Sequence, residues 1–110
     1  MAIRLVLDTS DMRFLVSRDA EPKMEHGEEK KGQQKRDKKT QLPLWTVQLV
    51  ARHAGGADVI MVSVPAESKP TVTVDASVQV VGLEAVPWVK NGSNSANVAY
   101  RAEGFKPLGK

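Results

Sequence analysis

Residues 71–89 limit the possible folds more than any other stretch of this chain. They read Thr-Val-Thr-Val-Asp-Ala-Ser-Val-Gln-Val-Val-Gly-Leu-Glu-Ala-Val-Pro-Trp-Val. Valines alternate with Ser77 and Gln79 up to Gly82, and beyond it the apolar set continues on the opposite parity through Leu83 and Ala85. Successive side chains of a strand point to opposite faces, so a change of apolar parity turns the core-facing side over. A glycine is where a strand bends to do this and serves two sides of a small barrel. A polar turn, Asn91-Gly92-Ser93-Asn94-Ser95, then leads into a return strand from Ala96 to Phe105. A bent strand and its return predict the closing hairpin of an all-β, five-stranded Greek-key barrel.

The 110 residues suffice for one domain with one core. Hydrophobic residues at 41% and charged residues at 26% are ordinary for a globular chain, which excludes wholesale disorder. Cysteine is absent, so disulfides and thiolate metal sites are excluded. His26 and His53 are the only imidazoles, and no carboxylate spacing completes a metal site around them. No metal and no cofactor are expected. Ile3 to Leu7 is interrupted by Arg4 and stopped by Asp8, too short for a secretory core, and no segment is long enough to span a bilayer. A cytoplasmic location with no membrane partner is the expectation.

Ile3, Leu5 and Leu7 alternate against Arg4 and Val6, which predicts a first strand over residues 1–7. Phe14 and Val16 continue after the turn cluster 8–11, as a second segment of that strand or as its partner. Residues 19–41 carry almost no apolar side chain beyond Met24 and include Pro22, Gly27 and Gly32, which predicts a long, flexible charged arm. Its first half is acidic; its second half holds Lys30, Lys31, Lys35, Arg36, Lys38 and Lys39, with Asp37 the lone acid among them. Strict alternation resumes at Leu44 to Arg52, and Ala54-Gly55-Gly56-Ala57 supplies a hairpin turn. The next strand, Asp58 to Val64, puts Ile60, Val62 and Val64 inward. Pro65 and Pro70 then exclude a regular ladder, and residues 106–110 read as a frayed tail.

No nucleophile–base pair, phosphate loop or metal-hydrolase motif occurs, so neither an enzyme nor a small-molecule substrate is expected. His53 has no acid or nucleophile tied to it by sequence. Binding features are stronger. The net charge is +3, and flexible lysines such as those of the arm neutralise phosphates without fixed geometry. Trp88 lies between Pro87 and Lys90 at a strand end and is the expected exposed base-stacking side chain. Trp45 shares parity with Val47 and Leu49, which places its ring at the barrel mouth with one edge accessible. Of Tyr100 and Arg101 one faces inward and one outward; Arg101 is taken as the outward one. Arg13, Arg18, Arg52, Lys90 and Arg101 are strand cations able to line one groove if the strands wrap.

Val78-Gln79-Val80-Val81-Gly82-Leu83, then Trp88, Asn91-Gly92 and Val98-Ala99-Tyr100-Arg101-Ala102, resemble the corresponding strand, tryptophan and return strand of bacterial single-strand-binding proteins. The layout of polar arm, Leu42-Pro43-Leu44-Trp45, and a strand from Val59 leading into a proline-rich link is similar to filamentous-phage single-stranded-DNA-binding proteins. Leu44-Trp45-Thr46-Val47, Val62-Ser63-Val64-Pro65, Val81-Gly82-Leu83-Glu84-Ala85-Val86-Pro87-Trp88 and Tyr100-Arg101-Ala102 also resemble small actinomycete plasmid and integrative-element proteins labelled regulatory. These resemblances imply an oligonucleotide-binding (OB) fold and non-sequence-specific binding of single-stranded DNA in replication or transfer of a mobile element, as a homodimer. The contacts then fall to Lys30, Lys31, Lys35, Arg36, Lys38, Lys39, Trp45, Arg52, Trp88, Lys90, Tyr100 and Arg101. Two alternatives stay open: a duplex-binding transcriptional regulator, and a protein-interaction barrel without nucleic acid.

Overall fold

A computed structural model describes residues 4–25, 32–89 and 96–108. Every regular element among them is a strand: β1 (Leu5–Val6), β2 (Arg13–Pro22), β3 (Leu44–His53), β4 (Gly56–Pro65), β5 (Ser77–Val81), β6 (Glu84–Val89), β7 (Ala96–Arg101) and β8 (Gly104–Pro107). No helix of the described residues is long and apolar enough to cross a membrane. One mixed sheet holds all the strands in the order β1-β6-β7-β4-β3-β2-β5-β8. Neighbours are antiparallel except β4 and β7, which run parallel with Val62 opposite Tyr100.

Eight strands replace the expected five. The run predicted as one bent strand is divided at Gly82: β5 pairs with β2 and β8, whereas β6 pairs with β7 and β1. Val78 and Val80 are buried before the bend and Leu83 and Ala85 after it, so the parity change is present at the predicted glycine. Gly82 has a φ of 66°, in the left-handed region. A Cβ there would also meet the Glu103 carboxylate at 2.5 Å, a flexible group that can move aside. The backbone cost therefore dominates, and Gly82→Ala is expected to lose about 1–2 kcal/mol of stability, read from the urea midpoint.

The other additional strands come from segments whose ladder hydrogen bonds, not their apolar content, decide their state. The expected return strand stops at Arg101 as β7, and its last two residues, Gly104 and Phe105, join Lys106 and Pro107 of the expected tail to make β8, with Phe105 opposite Val80. Among the described residues the expected first strand contributes Leu5–Val6, paired with β6 and not with β2, while residues 1–3 lie outside the described residues. The bent strand begins at Ser77, not Thr71, because a turn with Asp75 at φ 71° precedes it. The two halves of the bent run stand next to opposite ends of the strand order yet are joined by Gly82 and Leu83 alone. The sheet must therefore curl until these ends meet. Phe14, Val16, Val47, Leu49, Val62 and Val80 fill its inner side, the alternate positions that the sequence assigned to the core.

Residues 19–41 do not begin as loop, since Asp19–Pro22 complete β2. Beyond it Met24 bridges Gln34 and Arg36 bridges Pro43. The backbone is satisfied against the start of β3: Lys23 N donates to Leu44 O (3.0 Å), Lys35 N to Lys23 O (2.6 Å) and Leu44 N to Lys35 O (2.8 Å). Polar bonds order the described part of the arm where apolar burial is lacking.

Candidate nucleic-acid interface

The outer face of the sheet carries the side chains of opposite parity to the core. One row crosses it as Val6, Glu84, Arg101, Ser63, Thr46 and Glu21, each opposite the next. The arm lies against this row. Lys23 Nζ donates to Ser63 Oγ at 2.8 Å, and Arg101 Nη1 meets Asp37 Oδ1 at 2.6 Å. Asp37 is buried; its second oxygen accepts from Thr40 N and Thr40 Oγ1, each at 2.9 Å. The Arg101 guanidinium holds the Asp37 carboxyl well below the usual carboxylate range, with the Thr40 bonds acting in the same direction against burial. Burial pushes the Lys23 ammonium down, helped by repulsion from Lys35 and Arg101.

This arrangement sorts the predicted contacts. Lys38 and Lys39 are exposed on the turn that Asp37 anchors, and Lys39 lines a cavity of about 350 Å³ with Arg4, Glu84 and Arg101. Arg36 is exposed and donates to Gln41 O at 2.9 Å, while Lys35 is half-buried. Arg101 is engaged by Asp37 and serves as a fastener of the arm rather than an open phosphate contact. Lys30, Lys31 and Lys90 lie outside the described residues, as does His26.

Trp88 is 47% exposed, on the parity of Glu84 and opposite Asn97. Since β7 runs parallel to β4, Trp88 stands toward the Gly56 end of the sheet, the end that also carries Arg52. Trp45 is half-buried with Nε1 donating to Ala66 O at 3.0 Å, so its ring is fixed at the other end of β3. Tyr100 packs against the core, on the opposite face from Arg101, and does not offer a ring to the outer face. Between the two ends, the outward residues of β3 and β4 include Val50, Val59 and Met61, the last two exposed.

No known protein family, curated protein or solved structure matches the chain. The site therefore stands on its own geometry. Among the described residues no group of three or more His, Asp or Glu side chains is placed to hold a metal ion. Three participants were not singled out from sequence. Arg4 and Lys23 carry no signal beyond their charge. Asp37 did carry one: a single acid inside a cationic run, with a threonine three positions on able to bond its carboxylate, marks an internal counterion.

Proposed function

We propose that the chain binds single-stranded DNA without sequence specificity, through an OB-type barrel. Counted with β5 and β6 as one bent strand, the long strands are β2, β3, β4, β5/β6 and β7. In an OB barrel the face of the second and third strands and the loops after the first and fourth bind oligonucleotides. Here those strands are β3 and β4, and the first of those loops is the lysine arm. The observation that carries the proposal is the fastening of that arm to the outer face at Ser63 and Arg101, which sets Lys38 and Lys39 beside it. Lysines supply the backbone attraction, Trp88 a stacking surface, and Val59 and Met61 apolar contact that is indifferent to base identity. The role is coating an unpaired strand in replication or transfer of a plasmid, phage or integrative element, as a homodimer.

Titration with oligo-dT is expected to quench tryptophan fluorescence, with log K falling linearly as log salt rises. A duplex of similar length should bind more weakly. Preference for one duplex sequence would instead favour a transcriptional regulator. No response to any oligonucleotide would leave Val59, Met61 and Trp88 as a protein-interaction surface and end the proposal.

A further inference from the structure

Arg13 and Arg52 are direct partners across the β2–β3 ladder. Directly opposed residues carry their side chains on the same face, with Cβ atoms about 4.5–5.5 Å apart, and like charges so placed weaken a sheet. Both arginines are exposed, and with Asp11 and His53 they line one open cavity of about 350 Å³. Neither forms an ion pair among the described residues. The carboxylate of Asp58, on the adjoining strand, is occupied by His53 Nε2 at 2.7 Å. Gly55 N donates to His53 Nδ1 at 3.1 Å, so the neutral ring keeps its proton on Nε2 and directs it at Asp58. Asp11 shares the cavity without pairing with either guanidinium. Two guanidiniums therefore face one carboxylate at an open site.

We propose that Arg13 and Arg52 form a two-guanidinium site for one phosphate group of a single-stranded nucleic acid, distinct from the lysine arm. The proposal rests on the strand-binding reading above and adds to it a second, fixed anchor. The arm meets β3 at Leu44, whereas Arg52 stands near its other end. At roughly 3.3 Å per residue, the strand between them spans on the order of 25 Å. A nucleic acid held at both places crosses Gln48, Val50, Val59 and Met61, on the face and at the end where Trp88 is exposed. Guanidinium forks suit a fixed anchor, because their planar donors match phosphate oxygens in pairs, whereas the arm's ammoniums act as point charges. The phosphate supplies the counter-charge that the cross-strand pair otherwise lacks.

The test compares the native chain with Arg13→Gln/Arg52→Gln in oligo-dT titrations over a range of salt. Both side chains are exposed, so the variant is expected to fold, and its thermal unfolding midpoint at low salt should be equal or higher once the repulsion is removed. Loss of charged hydrogen bonds to one phosphate should weaken oligo-dT binding about tenfold to a hundredfold. The slope of log K against log salt should become shallower by about 0.7. Native binding with an unaltered affinity and slope in the double variant would overturn the anchor and leave the strand-binding reading standing. A native chain that ignores oligo-dT would sink the reading itself and the anchor with it. A native unfolding midpoint that rises with inorganic phosphate but not with oligo-dT would make free phosphate the ligand, and equally overturn the strand as its source.

Discussion

Arg101→Ala is expected to lower the stability of the fold by about 3 kcal/mol, because it strands a carboxylate that is only 4% exposed. Removing one member of a buried ion pair costs about 3–5 kcal/mol. The lower end applies because the Arg101 side chain is 23% exposed and Thr40 still donates twice to Asp37. Arg101→Lys should recover part of the loss and Asp37→Asn should cost less than Arg101→Ala, since the amide leaves no bare charge inside. Acid supplies the same test without mutation. The Asp37 carboxyl is held below its ordinary value near 3.8 in the folded chain. Such a group contributes stability that is complete above the unfolded value and is lost as pH falls toward the depressed folded one. Urea midpoints should therefore decline below about pH 4, and that acid-sensitive component should be missing in Asp37→Asn. Equal acid sensitivity in both proteins would show that the latch contributes nothing.

Trp88→Ala is expected to leave the urea midpoint nearly unchanged and to weaken oligo-dT binding by about 1–3 kcal/mol, or roughly fivefold to 150-fold. The separation of the two effects follows from its position: the ring is 47% exposed, on the outer side of β6, and contributes little to the core. Trp88→Phe should restore much of the affinity, because stacking needs a flat π-face and not the indole nitrogen. Trp45→Ala makes the contrast. Its Nε1 donates to Ala66 O at 3.0 Å, so its removal should reduce stability along with any loss of binding. An oligo-dT affinity that survives Trp88→Ala would remove stacking from the mechanism and leave backbone attraction alone.

Much of the sheet was legible because its signals are local. The parity change at Gly82, the alternation from Leu44 to Arg52 and the inward set Ile60, Val62 and Val64 each follow from period-two patterning within one strand. Strand number was not legible, because a count depends on partners. Gly104–Pro107 carries one aromatic residue and no alternation long enough to read, and it is a strand only because the outer edge of β5 accepts it. The charged arm misled for a related reason. Hydrophobicity measures apolar burial, whereas the described part of the arm is tied by backbone bonds to Leu44 and by ion pairs from Asp19 to Lys69 and from Asp37 to Arg101. In the candidate site, the outward position of Trp88 was readable from its setting. The inward position of Tyr100 was not readable in the same way, because its partner on β4 is the fully buried Val62, a register that no single strand reveals. The opposition of Arg13 and Arg52 is likewise a property of two strands read together.

The bend at Gly82 also has a consequence for the order of assembly. The β3–β4 hairpin closes over a short turn and needs nothing downstream, and β2 can add to it next. Until residues 77–101 arrive, however, both flanks of that three-stranded meander are bare rows of amide and carbonyl groups, open to any stray strand. One run of chain then pairs with both, β5 at Phe14 and Leu15 of β2 and, after the corner and the hairpin, β7 at Val62 and Ser63 of β4. Such distant pairings form slowly because the intervening loop must first be closed. A chain interrupted after Pro65 would carry every strand of the meander and remain sticky on both sides.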